Sequence, residues 1–344
     1  MELLLVHLTD IHIRDDEDLD VLSARTDSIG GAICNHITNP SETEVIFCVT
    51  GDLVFSGKDD QYAAAGLILD EIYSLINKRY PKVGIHSVFV PGNHDCDFDA
   101  PEEEVREPLL ISPALDISKP SALKACTAIQ KNFYMFGEEW DKKHGAMFCD
   151  DDKILTVNEL NFDSYGVHLN FHCINTSWCS KKHEEKGKMK ITTGKMSMVT
   201  DFLEKRPDDI VIIMMHHDAE WLDWDDKEVW NKYHKQYADI ILVGHDHSVE
   251  YTVKENYDKT VNYFIKGNQL YDKDSPNQSG FNILKLNTNA GGIQECFFTY
   301  EWDGTIYKQI IDTGYRLFNR NKYVESGIEL KEDVWTYLED LDID

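Results

Sequence analysis

The sequence predicts an α/β protein with a second sheet packed against the first. Two patterns predict it. Short apolar runs rich in Val, Ile and Leu alternate with polar or helical stretches through the first two thirds of the chain. A later group of strand-like runs follows without intervening helices.

The early runs are Leu3–Leu8, Val45–Val49, Ser87–Val90, His168–Ile174, Ile210–Met215 and Ile240–Val243. Each reads as a strand buried on both faces. Between them, Gln61–Lys78 carries Ala64, Leu67, Ile68, Ile72, Leu75 and Ile76 on one face of a helix. Met196–Lys205 and Lys227–Tyr237 are weaker helices. Val261–Ile265, Phe281–Leu286, Glu295–Tyr300 and Gly304–Ile310 form the later, mostly antiparallel group, expected to make the second sheet.

Residues 96–160 break the alternation. An acidic, Pro-containing part comes first (Asp97, Asp99, Glu102, Glu103, Glu104, Glu107), and Ala122–Trp140 reads as helix. This segment is either a cap over a site or a surface insertion. An acidic tail, 316–344, carries Trp335, Tyr337 and Leu338 and offers a docking segment for a partner. The expected domain is therefore 1–315.

The 344 residues are 42% apolar, and 34 Lys and Arg against 62 Asp and Glu leave a net charge of −28. That balance argues against a protein that coats DNA, although a nuclease with a local basic patch stays open. No apolar run reaches the ~18 residues of a membrane span. The run Met1–Val6 lacks a basic flank and is too short for a secretory leader, so the chain reads as cytoplasmic. Eight cysteines without a Cys-x-x-Cys pair read as buried free thiols.

Polar motifs follow the strands directly: Asp10-Ile11-His12, Gly51-Asp52, Gly92-Asn93-His94-Asp95, His216-His217 and Gly244-His245-Asp246-His247. Six of the 14 histidines lie in them. Ligands of an open α/β sheet bind beyond the carboxyl ends of its strands, so these residues should converge. Carboxylate, imidazole and amide oxygen together suit Mn, Fe or Zn, and the number of donors divides between two ions. Gly51, Gly92 and Gly244 let the chain turn sharply beside those ions.

In this order the five motifs resemble the signature of the calcineurin-like metallophosphoesterase superfamily, over residues 10–247. The resemblance implies a four-layer α/β/β/α sandwich of two mixed sheets. It implies that Asp10, His12 and His247 hold one divalent ion, that Asn93, His216 and His245 hold a second, and that Asp52 bridges them. His94 would face the substrate phosphate and Asp95 would orient it. The reaction implied is attack of a dimetal-bound hydroxide on phosphorus, with Mn as the expected metal.

The motifs are closest in kind to bacterial phosphodiesterases and repair nucleases, so the expected substrate is a nucleotide or nucleic-acid phosphodiester. A small-molecule phosphomonoesterase or pyrophosphatase is the alternative. So is a catalytic module of a larger signalling or defence assembly, with a protein partner or a second copy. His217 and Trp221 are candidate substrate contacts, Trp221 being either a stacking platform or core. Lys186 and Lys188 belong to a lysine-rich loop, Lys181–Lys195, that either binds a phosphate backbone or is merely solvated.

Overall fold

The computed structural model describes residues 1–112, 115–116, 119–148, 154–191, 209–255, 261–289 and 292–320. The helix expected at Met196–Lys205, Lys195 and nearly all of the acidic tail lie outside them.

Two mixed sheets carry the molecule. The first holds β1 (Glu2–Leu8), β2 (Thr43–Val49), β3 (Gly84–Phe89), β4 (Met147–Phe148), β11 (Gly280–Asn289), β12 (Gly292–Trp302), β13 (Tyr307–Asp312) and β14 (Arg316–Leu317). Its order is β13-β12-β11-β1-β2-β3-β4, with β14 also on β12. The second holds β5 (Leu155–Phe162), β6 (Val167–Ile174), β7 (Asp209–Met215), β8 (Ile240–Val243), β9 (Glu250–Glu255) and β10 (Val261–Lys266), in the order β5-β6-β7-β8-β10-β9. Sheet membership therefore differs from the expectation. The late strands β11, β12 and β13 continue the first sheet by antiparallel pairing onto β1, and only β10 joins the second. Local pattern reports that a segment is a strand; which strand it pairs with is decided by distant partners.

Alternation along the central strands creates the layers. On β1, Leu4, Val6 and Leu8 face a core shared with α1 (Asp16–Cys34), α2 (Asp59–Arg79) and α5 (Lys131–His144). Leu3 and Leu5 face the other sheet, where they meet Ile210, Ile212 and Met214 of β7. From β7, Val211, Ile213 and Met215 point outward onto Trp230, Tyr233 and Tyr237 of α6 (Trp224–Tyr237). Three apolar layers separate helices, sheet, sheet and helix, which is the four-layer sandwich.

The described residues of 96–160 contribute to the core and to both sheets. After α3 (Glu103–Leu110) and α4 (Pro120–Cys126), α5 packs Phe133, Phe136 and Trp140 into the first core, and β4 and β5 add edge strands to the two sheets. Arg106, fully buried on α3, donates to the carbonyls of Cys126 at 2.9 Å, Trp178 at 2.8 Å and Ser180 at 2.6 Å. The fold also runs past residue 315: Phe318 is buried between the sheets, and Asn319 N–H donates to Tyr263 Oη at 2.9 Å. The seven described cysteines are buried free thiols. No helix among the described residues is long and apolar enough to cross a membrane.

Candidate metal centre

β1, β2 and β3 run parallel side by side, as do β7 and β8 in the facing sheet. All five therefore end at one edge of the sandwich, and each is followed there by one of the motifs. The loops lock together through backbone bonds. The Asp52 carbonyl accepts Ile11 N–H at 2.8 Å and His12 N–H at 3.0 Å, and Gly244 N–H donates to the His216 carbonyl at 3.0 Å.

Backbone strain concentrates here. Among the described residues, the non-glycine positions with positive φ are Asp10 (53°), His12 (51°), Asp52 (53°), His245 (71°) and His247 (51°). Each costs on the order of 1–3 kcal/mol, and such strain persists where the surroundings impose it, typically at functional sites. All five are among the residues singled out by the motifs. The chain also passes itself closely. A Cβ on Gly92 would lie 2.1 Å from Asp52 Oδ1, and one on Gly51 would lie 2.5 Å from Gly92 N. Side chains at either position would push the two loops apart.

Two groups of donors result. In the first, Asp10 Oδ1 lies 3.2 Å from His247 Nε2 and 3.6 Å from His12 Nε2, and the two ring nitrogens face each other at 3.3 Å. In the second, Asn93 Oδ1 is 3.0 Å from both His216 Nε2 and His245 Nδ1, which are 3.2 Å apart. Asp52 stands between, its Oδ2 being 3.2 Å from His216 Nε2 and 3.9 Å from His12 Nε2. The residues named for the two ions and for the bridge are thus brought together at one place.

The chemistry of the donors fits a cation. His216 Nδ1 lies 2.7 Å from the Thr50 carbonyl, which only accepts, so Nδ1 carries a proton and Nε2 is the atom left for a cation or a second proton. Nε2 meets Asp52 Oδ2 and Asn93 Oδ1, both acceptors. Asp10 Oδ1 is buried without a well-directed hydrogen bond. Converging acceptors repel unless positive charge sits among them. The same crowding appears in the pKa values of the metal-free chain. Burial alone would lower that of His216, yet the Asp52 carboxylate overrides it and pushes it up to about 10. Burial would raise Asp52, but the His216 and His94 imidazoles hold it well below the usual carboxylate range.

His94 adjoins the first group, its ring edge-on to His12 at 4.7 Å. Its positioning differs from the expectation. His94 Nδ1 donates to the Phe55 carbonyl at 2.7 Å. Asp95 is fully buried and directed elsewhere: it accepts Asp52 N–H and Gly92 N–H, both at 2.8 Å, and the Tyr62 hydroxyl at 2.8 Å. Asp95 thus shapes the loops that present Asp52 and Asn93 and does not orient His94. Burial, then the nearby Asp52 charge, push its pKa up to about 7.

The candidate substrate contacts lie beside the second group of donors and along the loop that leads to it. His217 is fully buried, with Thr176 Oγ1 2.9 Å from Nδ1 and Glu184 Oε2 3.0 Å from Nε2, so both ring nitrogens are engaged within the protein. Trp221 packs edge-on against His245 at 4.2 Å and donates to Asp246 Oδ1 at 3.1 Å. Lys186 lies over the Trp221 ring at 5.3 Å and pairs with Glu220 at 3.5 Å and Asp246 at 3.9 Å. Lys188 is exposed and lines a cavity of about 280 Å³ with Leu110, Trp178 and Met189. The described part of the loop therefore lies against the centre and is not a uniformly basic surface.

Three contributors escaped the sequence reading. Glu184 hides among lysines. Lys266 ends β10 and joins Asp218 at 2.7 Å to Asp246 at 2.8 Å, tying two of the histidine loops together. A lysine closing an apolar strand was the signal for it. Phe55 follows Gly51-Asp52 closely and is 38% exposed, tilted against His94 at 4.9 Å.

Fold and site define an α/β/β/α sandwich with a mostly buried cluster of Asp, Asn and His side chains at its strand ends, a set able to hold cations. A model of the calcineurin-like phosphoesterases matches residues 3–249, and the chain belongs to that family. No curated protein matches the chain. Among solved structures, a dimetal phosphatase from Danio rerio is 11% identical at a TM-score of 0.48, covering 92% of this chain and 99% of that one. Zinc-complexed Vps29 from Entamoeba histolytica is 13% identical at 0.33, covering 92% and 99%. A hypothetical protein from Thermus thermophilus is 12% identical at 0.34, covering 93% and 100%.

Proposed function

We propose that the chain is a dimetal phosphodiesterase acting on small nucleotide diesters. The observation that carries the reading is the convergence of carboxylate, amide and imidazole acceptors from five strand ends, presented largely by strained backbone. Asp10, His12 and His247 would hold one divalent ion and Asn93, His216 and His245 the other, with Asp52 shared. Ions of that kind polarise phosphoryl oxygens and supply a hydroxide near neutral pH. The donor set suits Mn, Fe or Zn.

The residues around the ligands have separable tasks. With Nδ1–H held by the Phe55 carbonyl, His94 keeps Nε2 for a substrate oxygen, which it can protonate as the leaving group departs. Phe55 borders that imidazole and is 38% exposed, with the Arg14 guanidinium over its ring at 4.1 Å, so a nucleoside would meet it only where Arg14 and His94 leave it open. Cutting inside long polynucleotides is less favoured, because Lys186 faces carboxylates and Lys182 pairs with Asp99 at 3.7 Å.

The test is hydrolysis of cyclic nucleotides, bis-p-nitrophenyl phosphate, p-nitrophenyl phosphate and labelled single- and double-stranded DNA with Mn²⁺, beside Asp52→Ala. Expected is turnover of the small diesters, reduced at least about 100-fold by the substitution. Preference for the monoester would overturn the diester assignment, and turnover that survives Asp52→Ala would place the chemistry elsewhere.

A further inference from the structure

Glu184 belongs to none of the motifs, yet it reaches the centre. Its side chain is 7% exposed, with Oε2 3.0 Å from His217 Nε2 and 3.8 Å from His245 Nε2. The loop that carries it is pinned to the centre's own chain. Met189 N–H donates to the Trp221 carbonyl, and Asp223 N–H to that of Met189, both at 2.9 Å.

Counting protons shows what the carboxylate does. An ionised carboxylate only accepts, so His217 carries its proton on Nε2 and accepts from the Thr176 hydroxyl at Nδ1. Thr176 Oγ1 in turn accepts the backbone N–H of His217 at 3.2 Å. The same carboxylate faces His245 Nε2. At 3.8 Å this is an electrostatic contact rather than a hydrogen bond, but it favours the tautomer with Nε2–H. The Nδ1 lone pair of His245 is then aimed at the point shared by Asn93 Oδ1 and His216 Nε2. Trp221 closes the far side, standing at 89° to the His245 ring. Histidines that ligate metals characteristically give their second N–H to a carboxylate or carbonyl, and removing that partner weakens binding about 10–100-fold. His216 has such a partner in the Thr50 carbonyl. For His245 the carboxylate facing that nitrogen is Glu184, in electrostatic contact at 3.8 Å.

We propose that Glu184 is a positioning residue for the second cation: through His245, and through the His217 ring beside it, its carboxylate sets the tautomer that offers Nδ1 to the ion. This rests on the two-cation reading above.

The test is calorimetric titration of the metal-free wild type, Glu184→Gln and Glu184→Ala with Mn²⁺, with EPR to separate coupled from isolated ions and thermal melting to check the fold. Wild type should bind two ions. Glu184→Ala should retain the first and bind the second about 10–100-fold more weakly. Glu184→Gln should fall between them, because its amide oxygen still accepts from His217; being isosteric, it carries the test if the alanine variant does not fold. The coupled EPR signal should give way to that of isolated Mn²⁺. Unchanged affinity for the second ion would overturn the assignment, as would equal weakening of both ions. Fewer than two ions in the wild type would instead refute the two-cation reading itself.

Discussion

At the scale of the residue, Asp95 separates a sequence motif from its structural meaning. It stands next to His94, so adjacency suggests a carboxylate–imidazole pair. The chain turns between them, and the carboxylate closes hydrogen bonds to Asp52 and Gly92 N–H while Phe55 holds the imidazole. The two roles predict different mutants. In Asp95→Asn the amide oxygen can still accept both N–H groups and the amide nitrogen can donate to Tyr62 Oη, so activity should stay within about tenfold of wild type. Asp95→Ala takes the acceptor from three buried donors, the Asp52 and Gly92 N–H groups and the Tyr62 hydroxyl, each costing about 1–3 kcal/mol, and urea unfolding should show a loss of at least about 3 kcal/mol. If both variants lost activity equally with unchanged stability, Asp95 would be acting on His94 after all.

Elements succeed or fail as readings according to how much of their environment is local. β1, β2, β7 and β8 are buried on both faces, so continuous apolar runs announce them. α1 carries a weak local signal, because Gly30, Gly31 and several polar residues interrupt its buried stripe of Leu22, Ile29 and Ile33. The motif residues were legible because strand ends present them, whereas Glu184 and Lys266 act through contacts that no local pattern encodes. The start of β1 is another such case. Buried Glu2 accepts from the Thr38 hydroxyl and pairs with Lys285 Nζ at 2.7 Å. Burial would raise its pKa, but Lys285 and Thr38 lower it from 4.5 to about 2. A depressed carboxylate contributes stability that is complete above its unfolded pKa and disappears as pH falls through the folded one. Glu2→Gln should therefore be less stable than wild type near neutrality, by about 2–3 kcal/mol. The gap should close between pH 4.5 and about 2. Denaturant midpoints measured across that range check it, and a gap independent of pH would show that packing, not charge, makes the difference.

For the whole molecule, two sheets facing each other bring chain positions 10 and 247 to one point, and the same arrangement sets the field a substrate meets. The net charge is −28, and the lysines that sequence alone would set against a phosphate backbone are partly answered by Glu220, Asp99 and Asp246. A protein that tracked a polynucleotide through 6–10 phosphate contacts would lose about 10³–10⁵ in affinity between 50 and 200 mM salt, because each contact releases condensed counterions. A small diester makes its charged contacts inside the centre, where bulk salt screens little. The expectation is therefore that kcat/KM for the preferred nucleotide diester changes less than about tenfold across that salt range at fixed Mn²⁺, and that an excess of non-cleavable DNA does not inhibit. A steep negative salt slope together with inhibition by DNA would mean that a backbone-tracking groove exists despite the net charge, and the preferred substrate would then be a polynucleotide.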